Sequence, residues 1–174
     1  MDLDTEFHLK LNGSLADLLK YKSQNYKHAR SSGIQEDKAR KLAFAPHINI
    51  GVFSLEKNSP CWNTWQNNLK KTISKGKIFG SEGLAINLSV YDDNVDTEFL
   101  PLNCNWILSN LLPKFDKKKN IFVEPYLPYY EIGIMHLAAG IWINGRDMRL
   151  NKDLKIEIQG INGEKLIKSL RYNN

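Results

Sequence analysis

The sequence predicts an α/β fold closed by a C-terminal β-hairpin, and three observations lead there. Stretches with apolar residues at helical spacing, opened by serine or proline, recur through much of the chain. Apolar, β-branched runs of strand length lie between and after them. The tail DLKIEIQGINGEKLIKSLRY alternates apolar and polar residues on either side of Asn162-Gly163, the favoured two-residue hairpin turn. Helices alternating with strands define the class, with residues 1–145 as the main domain and 146–174 as a hairpin extension.

Taken in order, GSLADLLKYKSQNYKHAR carries Leu15, Leu18, Leu19 and Tyr26 near helical spacing behind Ser14 as N-cap, and a shorter helix is expected from Gln35 to Leu42. HINIGVFSL reads as a buried strand. NSPCWNTWQNNLKKTISKG has Ser59 as N-cap, Pro60 in the first turn and Gly76 as stop, and its stripe Trp62, Trp65, Leu69, Ile73 is expected to face the core. GSEGLAINLSVYDD predicts a helix starting after Ser81, and CNWILSNLL a short one closed by Pro113. TEFLPL, NIFVEPY and IGIMHLA are strand candidates.

The chain has 174 residues, 42% hydrophobic and 25% charged, enough to bury a core within the size range of a single domain. No apolar run reaches membrane-spanning length, and MDLDTEFHLK lacks the basic then apolar profile of a signal peptide, so the expected location is the cytoplasm. Cys61 and Cys104 form neither a disulfide framework nor a metal spacing and read as buried thiols. The net charge of +5 comes largely from clusters such as NLKKTISKGK and KFDKKKN beside turns. Without a nucleic-acid-binding motif these read as solvated faces, although a basic balance also suits an anionic cosubstrate.

Five stretches, in this order, resemble the donor-sugar half of a nucleotide-sugar glycosyltransferase of the glycogenin-like, family-eight kind, which has the GT-A fold. They are Asp2-Leu3-Asp4 for an Asp-x-Asp, INIGVF for an Asn-x-Gly strand, FGSEGLAIN for an acid-led helix start, FLPLNCNW for a Leu-Pro strand with an Asn loop, and IGIMHLAAG for a C-terminal histidine. The resemblance implies a hexose transferred from a nucleotide-diphosphate sugar to a saccharide or other hydroxyl acceptor, with Mn²⁺ or Mg²⁺ as cofactor. It implies metal binding by Asp2, Asp4 and His136, donor-sugar contacts from Asn49, Gly51 and Asn87, acceptor contacts from Asn105 and Trp106, and a catalytic role for Glu82 at the transferred sugar or the acceptor.

The chemistry accounts for these residue types. Negative charge accumulates on the β-phosphate as the sugar departs, and a hard divalent cation held by carboxylates neutralises it while keeping positions open for phosphate oxygens. Each residue also has a plainer reading. A terminal Asp-x-Asp is commonly solvated acid, His136 lies in an apolar run where a core histidine is ordinary, Asn49 and Gly51 fit a strand with a close backbone approach, and Glu82 suits a helix N-terminus.

The family pattern is broken where Gly83 replaces its Gln and where GIWINGRD replaces the Lys-Pro-Trp after the histidine, leaving Arg146 or Arg149 for the phosphate. The family's Asp-x-Asp follows a nucleotide-binding βαβ half, whereas only Met1 precedes Asp2 here. The expectation is therefore a mixed sheet lacking that half, inactive alone and prone to self-association or to pairing with the missing part. The alternative is a non-catalytic, degenerate interaction or anion-binding module.

Overall fold

The computed structural model describes residues 15–108, 111–137, 142–143, 146–147 and 155–171. They form a mixed α/β structure that falls into two compact units divided between Leu100 and Pro101. The alternation expected from the sequence is replaced by segregation, with the described helices in the first unit and the described strands in the second.

In the first unit, α1 (Leu15–Ser31) and α2 (Glu36–Phe44) are joined by a tight reversal. Gly33 adopts φ +77°, its N–H donates to Arg30 O, and Ile34 N–H donates to Ala29 O. This pair of bonds satisfies carbonyls that the helix end leaves orphaned, and it drives Ile34 into the core at 1% exposure. The left-handed backbone at Gly33 favours glycine, and a Cβ there would stand 2.6 Å from Cδ of the flexible Lys75 side chain, which would have to shift. Helix α2 starts with Glu36 and Asp37, which suit its positive N-terminal dipole, and stops at Ala45, held extended ahead of Pro46. The buried Lys22 of α1 reaches that stop, donating to Ala45 O at 3.0 Å and Phe44 O at 3.4 Å, while burial pushes its ammonium pKa down.

Helix α3 (Cys61–Lys75) begins where expected, with Ser59 Oγ accepting from Cys61 N–H at 3.2 Å. Helix α4 (Ser81–Tyr91) is buried on nearly every side, through Ser81, Leu84, Ala85, Asn87, Leu88 and Ser89. The core of this unit is Ala29, Ile34, Ala39, Leu42, Leu84 and Leu88, flanked by Tyr26 and Tyr91.

The expected inward stripe of α3 is corrected. Its buried residues are Cys61, Asn68 and Thr72, while Trp65 and Leu69 are half-buried and Trp62 and Ile73 are 40% and 41% exposed. Polar contacts line the seam with α4: Asn68 Nδ2 donates to Ser89 Oγ at 3.0 Å and to Asp93 Oδ2 at 2.6 Å, and Thr72 Oγ1 donates to Ser81 O at 3.4 Å.

The second unit opens with a 3-10 turn at Leu102–Cys104, and β1 (Trp106–Ile107) stands where a short helix was expected. β2 (Lys114–Asp116) and β3 (Ile121–Val123) form a hairpin whose exposed tip carries Lys117, Lys118 and Lys119, with Asp116 Oδ1 accepting from two tip amides. β4 (Met135–His136) pairs parallel with β1, and β5 (Trp142–Ile143) pairs with β6 (Arg146–Asp147). TEFLPL forms no strand.

The C-terminal hairpin is present as β7 (Lys155–Gln159) and β8 (Lys165–Ser169), with Ile156 and Ile158 alternating inward. Its loop is one residue longer than the two-residue turn expected. Gly163 N–H donates to Gly160 O, Gly160 N–H to Glu164 O, and within the loop Gly163 alone takes a positive φ. Ile156, Ile158 and Leu170 share a core with Trp106, Leu108, Phe115, Phe122 and Ile132, so the hairpin is integral to this unit rather than an extension.

Two measurements test this description. Gly33→Ala forces a side chain into a left-handed conformation against Lys75, and urea denaturation should show a loss of about 1–2 kcal/mol. Cys61 is buried and its thiol pKa is pushed up by desolvation, whereas Cys104 is half-buried. With a disulfide reagent at mild alkaline pH, Cys104 should react first and Cys61 about tenfold or more slowly until urea is added.

Candidate functional site

Four sequence-predicted residues lie in the first unit. The INIGVF segment is an irregular loop with a turn at Ile50 and Gly51, not the strand expected. Asn49 Oδ1 accepts from Gly51 N–H at 2.7 Å, closing a turn of the kind asparagine side chains favour. The loop is held by α4. Asn87, 4% exposed, accepts from Ile48 N–H through Oδ1 at 3.0 Å, and its Nδ2 donates to Ile48 O at 3.3 Å and Gly83 O at 2.8 Å.

Two of the motifs quoted from the sequence, 39 residues apart at these contacts, are thereby joined by one buried amide. Asn87 spends its hydrogen bonds on the backbone and acts here as a positioning residue for Asn49. Tyr91 Oη, donating to Pro46 O at 2.6 Å, ties the loop to α4 a second time.

Glu82 stands exposed in the first turn of α4, behind Gly80 at φ +84°. A carboxylate at this position complements the positive end of the helix dipole. Sequence reasoning missed that Trp65 marks this spot: its Nε1 donates to Glu82 O at 3.3 Å. The periodicity of α3 assigned that indole to the core, which hid the contact.

The second unit brings the Asn loop and the histidine together. Parallel pairing sets Ile107 opposite His136, and His136 Nδ1 lies 3.0 Å from Asn105 Oδ1. With Nδ1–H donating to that oxygen, Nε2 carries the lone pair, the arrangement a metal-ligating imidazole needs. Trp106 is completely buried, with Nε1 donating to Leu111 O at 2.9 Å. Its expected acceptor contact is corrected, because the parallel pairing turns this indole into the core.

Asp2, Asp4 and Arg149 lie outside the described residues, and Arg146 is placed by its backbone in β6. Among the described residues no three His, Cys, Asp or Glu side chains are grouped to hold a metal. The same residues include no helix long and apolar enough to cross a membrane.

Removing the buried amide tests the positioning role. Asn87→Ala strands the Ile48 N–H and C=O, each costing about 1–3 kcal/mol when unpaired. Amide exchange at Ile48 should accelerate by about tenfold or more while the helix amides of α1 change little. Comparison with family models, curated proteins and solved structures finds no match to this chain.

Proposed function

We propose that this chain is the donor-sugar part of a metal-dependent nucleotide-sugar glycosyltransferase. The observation that carries the reading is the buried amide of Asn87, which fastens the Asn49 turn to the helix that begins with Glu82. Residues that the resemblance assigns to one sugar are thus held on one support.

The reaction breaks the bond between the hexose C1 and the β-phosphate oxygen and forms a bond from C1 to an acceptor oxygen. The electron pair of the broken bond leaves on the nucleotide diphosphate, and the acceptor hydroxyl releases its proton. In this reading the Asn49 amide faces the hexose hydroxyls, and Glu82 meets the sugar or the acceptor as hydrogen-bond acceptor and proton acceptor.

His136 fits one coordination position of Mn²⁺ or Mg²⁺, since Asn105 occupies Nδ1 and leaves Nε2 for a ligand. The resemblance also assigns carboxylate ligands to Asp2 and Asp4, which lie outside the described residues. The cation would offset charge on the departing diphosphate.

Saturation-transfer NMR with UDP-glucose and UDP-galactose, with and without Mn²⁺, tests the assignment. Transfer to hexose protons should appear with Mn²⁺ and fall several-fold in Asn49→Ala and in Glu82→Gln. His136→Ala should weaken Mn²⁺ binding itself. Hexose signals that are absent, or indifferent to Asn49, would support the degenerate anion-binding module instead.

A further inference from the structure

Helix α3 turns an aromatic face outward, and we propose that this face captures a neutral saccharide, serving as the acceptor subsite of the transferase. Trp62 and Trp65, one turn apart, lie nearly parallel at 15° with ring centroids 6.0 Å apart. Phe53 meets both edge-on, at 6.3 and 5.5 Å. Together with Asn63, Gln66 and Leu69 the indoles line a groove of about 350 Å³.

The indole N–H groups do not face the groove's ligand. Trp62 Nε1 donates to Glu56 O at 2.9 Å and Trp65 Nε1 to Glu82 O at 3.3 Å. What remains is π surface bordered by two amides, with Lys70 engaging Gln66 Oε1 at the rim.

That combination matches a pyranose, whose C–H face lies flat on an indole while its hydroxyls reach side-chain amides. A nucleic-acid base would also stack, but single strands need a cationic groove for their phosphates, and the residues lining this one are uncharged. The Trp65 bond to Glu82 sets the platform beside the acid proposed to meet the acceptor. The acceptor role rests on the transferase reading, whereas saccharide capture stands without it.

The full chain, free of nucleotide sugar and metal, is titrated with maltohexaose, cellohexaose and chitohexaose, and in parallel with a heparin hexasaccharide and oligo-dT, following saturation transfer and tryptophan fluorescence. At least one neutral oligosaccharide should bind saturably, and Trp62→Ala, checked for folding by circular dichroism, should weaken it about tenfold, the loss of one aromatic stacking contact. The rim variant Asn63→Ala/Gln66→Ala should weaken it as well. The proposal is overturned if no neutral probe binds, if both α3 variants bind like the parent, if heparin or oligo-dT binds more tightly, or if Trp62→Ala only dissolves a dimer. Failure of UDP-hexose capture alongside intact oligosaccharide binding would refute the transferase reading alone.

Discussion

The hydrogen bonds between the Asn87 amide and the Ile48 backbone are the constraint on which the first unit's site depends. A backbone segment that leaves a helix and forms no strand must satisfy its polar groups elsewhere, and Asn87, at 4% exposure, is a buried partner for them. One side-chain amide offers both an acceptor and donors, so it can hold an N–H and a C=O of the same residue. Lys22 on the carbonyls of Phe44 and Ala45, and Tyr91 on that of Pro46, complete the fastening. The loop carrying Asn49 is therefore ordered by side chains from two helices rather than by a sheet.

The burial of α4 explains why the tryptophans of α3 face outward. A helix covered on most sides needs neighbours that approach closely, and Cys61 and Thr72 allow this where indoles would hold the axes apart. The polar atoms brought inside are paired in turn, Asn68 with Ser89 and Asp93, Thr72 with the Ser81 carbonyl. The apolar stripe is left partly outside, with Trp62 and Ile73 exposed and Trp65 and Leu69 half-buried, and large exposed apolar surfaces usually mark binding sites. Stability of the seam and exposure of the aromatic platform are two results of one packing choice.

In the second unit the parallel pairing of β1 with β4 plays the corresponding part. It buries Trp106 and sets Asn105, just ahead of β1, against the imidazole of His136 in β4, whose Nδ1 lies 3.0 Å from Asn105 Oδ1. A hydrogen bond of this kind holds the ring in one orientation.

Local chemistry was legible in the sequence. The ends of α2 and α3, the hairpin of β7 and β8, and the lysine-rich tip after Asp116 follow from caps, dipoles, alternation and turn residues, all of which act within a few positions along the chain. The candidate residues could also be named in advance, since motif spacing carries residue type. What the sequence left open was which face each element would bury. INIGVF has strand composition yet is a loop, because Asn87 lies 39 residues away and supplies its hydrogen bonds. CNWILSNLL has helical periodicity yet forms β1, because β4 offers a partner and a core for Trp106. The stripe of α3 reads as core yet leaves Trp62 and Ile73 exposed, because α4 sets the separation its neighbour must accept. Each of these outcomes turns on pairing or packing between residues distant in the chain, and periodicity specifies that a face is apolar without specifying what covers it.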